Sequence, residues 1–172
     1  MERIQAYLVG EQVSSNSSEA FSLHEKSSFG EKKEGKVIYS PSEALFLVEK
    51  GKIEVLSSGK KISFDGLMKR FKKSDKKIQL KYPVFRDLRE KGYVVKTALK
   101  FGAEFRIYEK GAKMGDKHSK WVAFTDYESK TFTWQEFSAK NRVAHSTKKK
   151  LLIAIVDEEG DITYYEVNWV KP

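Results

Sequence analysis

The 172-residue sequence contains no cysteine, which excludes disulfide bonds, cysteine-ligated zinc sites and thiol nucleophiles. Histidine is scarce as well. His24, His118 and His145 are the only three, and they form no HExxH-type pair, so a metal site built mainly from histidine is not expected. The sequence therefore predicts no cofactor and no bound metal.

Long apolar runs are also missing. No segment approaches the roughly 20 apolar residues that a membrane-spanning helix requires. The first residues, MERIQAYLVG, lack the basic stretch followed by an apolar region that marks a signal peptide. We therefore expect a soluble, intracellular protein with no membrane partner.

Positive charge and aromatic residues are abundant. The formal net charge is +9, and the 40% of hydrophobic residues, with 13% aromatic, can form a packed core. A basic surface favours polyanions, of which RNA is the commonest in a cell. Many basic proteins bind no nucleic acid, however, and 33% of charged residues is also typical of a thermophile's surface. Charge alone leaves the partner open.

The N-terminal part reads as short, mixed elements. Residues 1–13 contain a strand-like IQAYLV, whereas 14–36 are polar and predict loop or turn. Ser40 or Ser42 can cap a helix that Gly51 ends, and KIEVLS alternates apolar and polar residues as a strand does.

Residues 60–77 hold eight Lys or Arg against two acids. Phe64, Leu67, Met68 and Phe71 recur at helical spacing, which predicts a basic amphipathic helix. Its charged face is either simply solvated or directed at phosphates.

The C-terminal half alternates helices and strands. Pro83 and Gly92 are placed for the start and end of a helix, and Thr133 and Glu136 form a capping box that opens another. The segments YVVKTALKFG, AEFRIYE and KWVAFTDY read as strands. LLIAIVD predicts a central strand that a tight turn joins to ITYYEVNWV in a hairpin.

These patterns predict an α/β (α+β) fold in two domains. A small mixed α/β domain would occupy residues 1–78, and an α/β domain with a central mixed sheet would occupy residues 79–172.

Three separated blocks carry a more specific signal: KYPVFRDLREKGYVVKTALKFGAEFRIYEKG (81–111), DKHSKW (116–121) and RVAHSTKKKLLIAIVDEEGD (142–161). Their order and spacing resemble the catalytic nuclease domain of the archaeal tRNA-splicing endonucleases, and SPSEALFLVEKGKIEV (40–55) resembles that family more loosely. The resemblance implies cleavage of precursor tRNA at bulge–helix–bulge sites without a metal, giving 2′,3′-cyclic phosphate and 5′-hydroxyl ends.

The resemblance also implies a catalytic triad of Tyr108, His118 and Lys149. Lys148 stands where the family usually has arginine, so any of the three lysines from Lys148 to Lys150 could be the one that points inward.

Other functions implied by the resemblance lie outside the triad. Arg142 matches an arginine that helps to clamp a flipped-out RNA base. The acidic turn matches a loop that docks into a basic pocket of a neighbouring subunit, and its residues are Asp157, Glu158, Glu159 and Asp161. The expected assembly is a homotetramer of single-unit chains, with a heterotetramer in which this chain is catalytic as the alternative.

The chemistry of strand cleavage suits these residue types. A histidine can protonate the 5′-oxygen leaving group because its pKa lies near neutrality. A lysine stabilises the negative charge that develops on phosphorus. A tyrosine is a poor base at its ordinary pKa of about 10, so it either needs a lowered pKa or orients the 2′-hydroxyl.

Each of these residues also has an ordinary structural interpretation. A tyrosine at a strand end usually packs at an interface, and a histidine in a polar loop is usually solvated. Lysines after a helix favour its dipole, an arginine on a helix usually forms a salt bridge, and His145 could face the core.

Two other classes of function remain alternatives. The first is a structural or RNA-binding subunit of a splicing complex that does not cleave. The second is a DNA nuclease, which usually needs clustered carboxylates that hold Mg²⁺.

Overall fold

The computed structural model describes residues 2–115 and 118–172. The chain divides into two compact units, Met1–Tyr82 and Pro83–Pro172. Within the described residues, no helix combines the length and the apolar character needed to cross a bilayer.

The first unit is built on a six-stranded mixed sheet with the strand order β3-β4-β2-β1-β5-β6. The strands β1 and β5 pair in parallel, and the other neighbours are antiparallel. The elements are β1 (Ile4–Val9), β2 (Gln12–Ser15), α1 (Ser18–Ser27), β3 (Glu31–Lys33), β4 (Lys36–Tyr39), α2 (Pro41–Glu49), β5 (Ile53–Ser57), β6 (Lys60–Ile62) and α3 (Phe64–Lys72).

Helix α1 lies where the polar composition predicted loop, so the prediction for residues 14–36 was wrong. Ser17 caps its start by accepting a hydrogen bond from the backbone N–H of Ala20, and Ser28 ends it in the left-handed conformation. Ala20 is the one fully buried residue of this helix. Besides its caps and Ala20, the helix is held by the half-buried Phe21 and Leu23 and by hydrogen bonds between His24 Nδ1 and the carbonyls of Phe29 and Gly30. These mostly polar contacts leave little apolar pattern in the sequence.

Helix α2 is capped by Ser40, one of the two serines predicted for that position. Ser40 and Glu43 form a capping box, in which each side chain accepts a hydrogen bond from the other residue's backbone. Glu43 is only 2% exposed, and its carboxylate also accepts a hydrogen bond from the N–H of Gly30 at 3.0 Å. Gly30 has φ 75°, and a side chain there would clash with Val37, so this approach requires glycine.

Helix α3 is the predicted basic amphipathic helix. Ser63 caps it, and Leu67 and Phe71 are its buried residues. The helix ends at Lys72, and residues 73–77 form the corner that leads to the next helix, α4 (Ile78–Glu90).

The second unit is built on a five-stranded mixed sheet with the order β11-β10-β9-β8-β7. The strands β9 and β10 are parallel, and the other neighbours are antiparallel. Its elements after α4 are β7 (Val94–Ala98), a 3-10 turn (Leu99–Phe101), β8 (Ala103–Tyr108), β9 (Trp121–Tyr127), α5 (Trp134–Ser146), β10 (Lys150–Val156) and β11 (Ile162–Val167). This architecture confirms the predicted α/β class, and β10 and β11 form the predicted hairpin.

Helix α4 differs from its prediction at its start. Pro83 lies inside the helix rather than at the first turn. Proline lacks the N–H that would donate to the preceding turn. The helix nevertheless continues through Pro83, because apolar side chains on both sides of it are buried: Ile78, Leu80, Tyr82, Val84, Phe85 and Leu88.

Helix α5 packs on one face of the second sheet. It begins at the predicted capping box of Thr133 and Glu136. The core cluster on this face contains the following buried side chains: Ala98, Ala103, Val122, Phe124, Ala144, Leu151 and Ile153. The packing fixes the end of α5, and hence the start of β10, over the sheet.

Candidate active site

One edge of the second sheet gathers the three residues of the predicted triad. The strand β8 ends there with Tyr108, and the antiparallel β9 begins there just after His118. Because β10 runs parallel to β9, its start lies at the same edge, where Lys150 pairs with Trp121. Lys149 immediately precedes that pair. The topology thus brings Tyr108 and Lys149, 41 positions apart in the chain, to the same edge of the sheet.

Lys149 points into the site. Its backbone N–H donates to the carbonyl of Ala144 at 2.8 Å, which ends α5. Its Nζ atom donates to the carbonyl of Ser119 at 3.1 Å and lies 5.9 Å from the centre of the Phe101 ring. These contacts bind the side chain to the segment that carries His118.

The two neighbouring lysines are directed elsewhere. Lys148 is exposed, with a left-handed φ of 57°. Lys150 is also exposed, and its Nζ atom pairs with Glu166 at 3.0 Å. Lys149 is therefore the inward-pointing residue of the three.

The site is rich in positive charge. Burial, together with the nearby cations Arg106 and Lys100, holds the pKa of Lys149 below the ordinary value of a lysine. Arg106 pairs in register with Lys96 across β7 and β8, and Lys96 is buried. Such a concentration of cations favours an anionic ligand.

Tyr108 and His118 differ in exposure. Tyr108 is 5% exposed, and the guanidinium of Arg106 lies 6.0 Å from its ring centre. His118 is exposed to solvent. The segment that follows His118 is held at both sides, because the N–H of Lys120 donates to Ile107 at 2.8 Å and its carbonyl accepts from Lys150 at 2.9 Å.

Arg142 lines a separate cavity. It is exposed on α5, in a cavity of about 330 Å³ whose other lining residues are Ser138, Asn141, His145 and Trp169. The rings of His145 and Trp169 meet edge to face with their centres 4.2 Å apart. The alternative that His145 faces the core is wrong, because it is exposed.

The acidic turn lies at the opposite edge of the sheet, between β10 and β11. One carboxylate oxygen of Asp157 accepts hydrogen bonds from the N–H groups of Glu159 and Asp161, at 2.9 and 2.8 Å. Glu158, Glu159 and Asp161 are exposed. Across residues 2–115 and 118–172, no three His, Asp or Glu side chains are grouped as metal ligands would be.

Comparison with known proteins bears directly on this site. A family model described as tRNA intron endonuclease, catalytic C-terminal domain, matches residues 78–164, and a model of the N-terminal domain of the same family matches residues 4–68. The tRNA-splicing endonuclease of Thermococcus onnurineus is 41% identical over 171 residues, which cover 99% of this chain and 98% of that protein. The chain belongs to the tRNA intron endonuclease family.

Further relatives agree with this membership. The tRNA-splicing endonuclease of Pyrococcus horikoshii is 41% identical over 169 residues, covering 98% of this chain and 97% of that protein. That of Methanothermobacter thermautotrophicus is 41% identical over 150 residues, 87% of each chain. The resemblance read from the sequence is confirmed, and this tRNA intron endonuclease family member is an RNA endonuclease.

Sequence reasoning missed one residue of this family member's candidate surface. Trp169 lies beyond the last strand, 56% exposed, beside Arg142. A large exposed aromatic next to an arginine can stack on a nucleobase. The sequence predicts a strand, ITYYEVNWV, that includes Trp169, whereas β11 ends at Val167. The available signal was a tryptophan between Asn168 and Lys171, close to the polar end of that segment.

Proposed function

We propose that this endonuclease cleaves precursor tRNA at bulge–helix–bulge splice sites, without a metal ion, through Tyr108, His118 and Lys149. The observation that carries the proposal is the hydrogen bond from Lys149 Nζ to Ser119, which holds an ammonium beside the residue next to His118 at the edge where β8 ends. An ammonium, an imidazole and a phenol at one edge can supply the proton transfers and the charge stabilisation that RNA cleavage without a metal needs.

In the proposed reaction, the 2′-hydroxyl passes its proton to a base, either Tyr108 as phenolate or a water molecule that Tyr108 helps to orient, and the 2′-oxygen attacks the adjacent phosphorus. The bond from phosphorus to the 5′-oxygen breaks, and His118 gives that oxygen a proton. Lys149 stabilises the negative charge that builds up on the non-bridging oxygens. The products are a 2′,3′-cyclic phosphate and a 5′-hydroxyl, so atoms and protons balance.

Tyr108 is assigned to the attacking 2′-hydroxyl. Its burial and the nearby Arg106 guanidinium fix the ring in place. A fixed phenol can orient the hydroxyl for in-line attack or take its proton. Exposed His118 is assigned to the leaving group, because the leaving strand must depart into solvent.

The Arg142 cavity is assigned to a bulged base. Arg142 and the exposed Trp169 place a cation and an aromatic ring in the lining of the same cavity. Unstacked bases in bulges are recognised by such stacking, which supports recognition by RNA shape rather than by sequence.

The active assembly is proposed to be a homotetramer, as the resemblance to single-unit chains implies, and the two symmetric cleavage sites would be served by two of its subunits. The exposed carboxylates of the acidic turn would dock into a basic pocket of a neighbouring copy. A heterotetramer with this chain as its catalytic member is the alternative assembly.

The test is incubation of the purified protein with a bulge–helix–bulge RNA in EDTA, followed by end-group analysis. A 2′,3′-cyclic phosphate and a 5′-hydroxyl at two symmetric sites are expected, as is equal activity after Mg²⁺ is added. Cleavage that needs Mg²⁺, or products with a 3′-hydroxyl, would contradict the mechanism.

A further inference from the structure

Six basic side chains crowd the end of α3 and the corner after it. This α3 basic patch consists of Lys69, Arg70, Lys72, Lys73, Lys76 and Lys77. All six residues are exposed. Between Gly66 and Arg86 the sequence contains a single acid, Asp75.

Asp75 has other structural partners. One of its carboxylate oxygens accepts a hydrogen bond from Lys81 Nζ at 2.7 Å, and the other accepts from the backbone N–H of Lys77 at 3.0 Å. Lys61, which precedes α3, pairs with Glu54 at 2.6 Å. Lys61 and Lys81 thus have acidic partners, and both oxygens of Asp75 are occupied by Lys81 and by the backbone at the start of α4.

The helix dipole explains only part of the patch. Lys69, Arg70 and Lys72 lie in the last turn of α3, where cations are favoured. The dipole effect fades within one turn, so it does not account for the lysines at 73, 76 and 77. Like charges three and four residues apart, as at Lys69 and Lys73, repel one another and weaken a helix.

The shape of the patch suits a nucleic-acid backbone. The six cations lie within nine consecutive residues, in the last turn of α3 and the corner after it, and an RNA backbone presents several phosphates close together. Leu67 and Phe71 anchor the apolar side of α3, so the cations project from a fixed support on flexible stems. Such lysines suit contacts with phosphates that carry no sequence information.

We propose that the α3 basic patch is an additional RNA-binding surface that holds backbone phosphates of the substrate, apart from the contacts at the catalytic residues. The proposal rests on the proposed function for the identity of the RNA. Because the patch would contact phosphates only, it would raise affinity and salt dependence without altering the choice of cleavage site.

The test uses two variants with the same change in charge. The patch variant carries Lys→Gln at the lysines Lys69, Lys72, Lys73 and Lys76. The control variant carries Lys→Gln at four exposed lysines elsewhere in the same unit, Lys26, Lys33, Lys52 and Lys60. Each lowers the net charge of +9 by four. Thermal unfolding followed by circular dichroism verifies that both are folded.

Affinity for a bulge–helix–bulge precursor tRNA is measured in a His118→Ala background between 50 and 400 mM salt, roughly the range over which phosphate contacts dominate. The slope of log affinity against log salt should become shallower by about 3 in the patch variant, at about 0.7 to 0.9 per lost phosphate contact. The control should change it by less than about 1. Equal slopes in the two variants overturn the proposal.

Two further measurements, the rate of cleavage and the native mass, distinguish the other possible outcomes. With His118 intact and enzyme in excess, the patch variant should cleave bound RNA at the unaltered rate and at the same sites. If neither the parent protein nor the patch variant cleaves precursor tRNA, but the salt slopes of the patch and control variants still differ, the proposed function fails. The α3 basic patch is then still supported as an RNA-binding surface. If the slopes agree and the patch variant instead shows a smaller native mass, the patch binds an acidic protein surface, and the proposal fails.

Discussion

The Nζ atom of Lys149 donates a hydrogen bond to the carbonyl oxygen of Ser119 at 3.1 Å. This contact joins the start of β10 to the residue that follows His118, across a sequence gap of 30 residues. It places the positive charge while leaving two of the three ammonium donors for a ligand. The same short backbone segment, residues 118–119, therefore carries the His118 imidazole and holds the Lys149 ammonium.

The three consecutive lysines should differ sharply in function. Lys149→Met should lower the single-turnover cleavage rate about 10²- to 10³-fold, since it removes a charge that opposes the developing negative charge. Lys148→Met and Lys150→Met serve as controls with the same charge change, and should stay within a few-fold of the parent. Equal losses at all three positions would point to general electrostatics instead.

Replacement of His118 should separate chemistry from binding. His118→Ala should reduce cleavage by roughly 10²- to 10⁴-fold, as loss of a general acid does, with little change in RNA affinity. His145→Ala makes the same change beside Trp169, and should weaken affinity rather than the rate at saturation. Near-normal turnover of His118→Ala would remove it from the mechanism.

Tyr108→Phe tests the phenol without disturbing packing. The ring and its contact with Arg106 remain, so the free energy of unfolding should change by no more than about 1 kcal/mol. Cleavage should nevertheless fall by about 10²-fold or more, because the group that faces the 2′-hydroxyl is lost. A fall in stability with unchanged cleavage would make Tyr108 a packing residue.

The alkaline limit of activity should respond to Lys100. Its charge helps to hold the pKa of Lys149 down, after burial and Arg106. Lys100→Gln should therefore raise that pKa and keep Lys149 charged to higher pH, which moves upward the part of the alkaline fall in cleavage that is due to loss of the Lys149 charge. The profile is measured as single-turnover rate against pH, with Lys110→Gln as the control. A shift toward lower pH, or none, would argue against Lys149 as the titrating group.

Charge reversal in the acidic turn tests the assembly. Glu158→Lys with Glu159→Lys should break tetramers into smaller species, because the docking carboxylates become cations. Glu31→Lys with Glu34→Lys makes the same change at exposed positions in the first unit. Native mass spectrometry reports the result, and an unaltered mass in the first variant would rule out the docking role.

Periodicity predicted the elements whose stability has a local signature. The helix cap at Ser40, the capping box at Thr133 and the apolar strand β10 all leave a pattern in the sequence, and all are present. Helix α1 leaves little, since it is held by its caps, by Ala20 and by polar contacts such as those of His24. Pro83 suggested the wrong helix start for a related reason. The burial of apolar side chains on both sides of it outweighs the local effect of proline on the helix.

The site was less accessible to prediction than the fold. The sequence could not choose among the three lysines at 148–150, because the choice depends on how α5 ends and where β10 begins. Trp169 was missed because its neighbour Arg142 is 27 positions away, and that proximity arises only from packing.

The side chain of Asp157 stabilises the conformation of the acidic turn. This carboxylate accepts two backbone N–H groups of its own turn, so the loop is already rigid before any partner arrives. A loop that is already ordered loses little conformational entropy on docking. The attraction between its three exposed carboxylates and the partner is then opposed by a smaller entropic cost. Loss of the Asp157 side chain would therefore make the loop more flexible, even with the charges of Glu158, Glu159 and Asp161 retained.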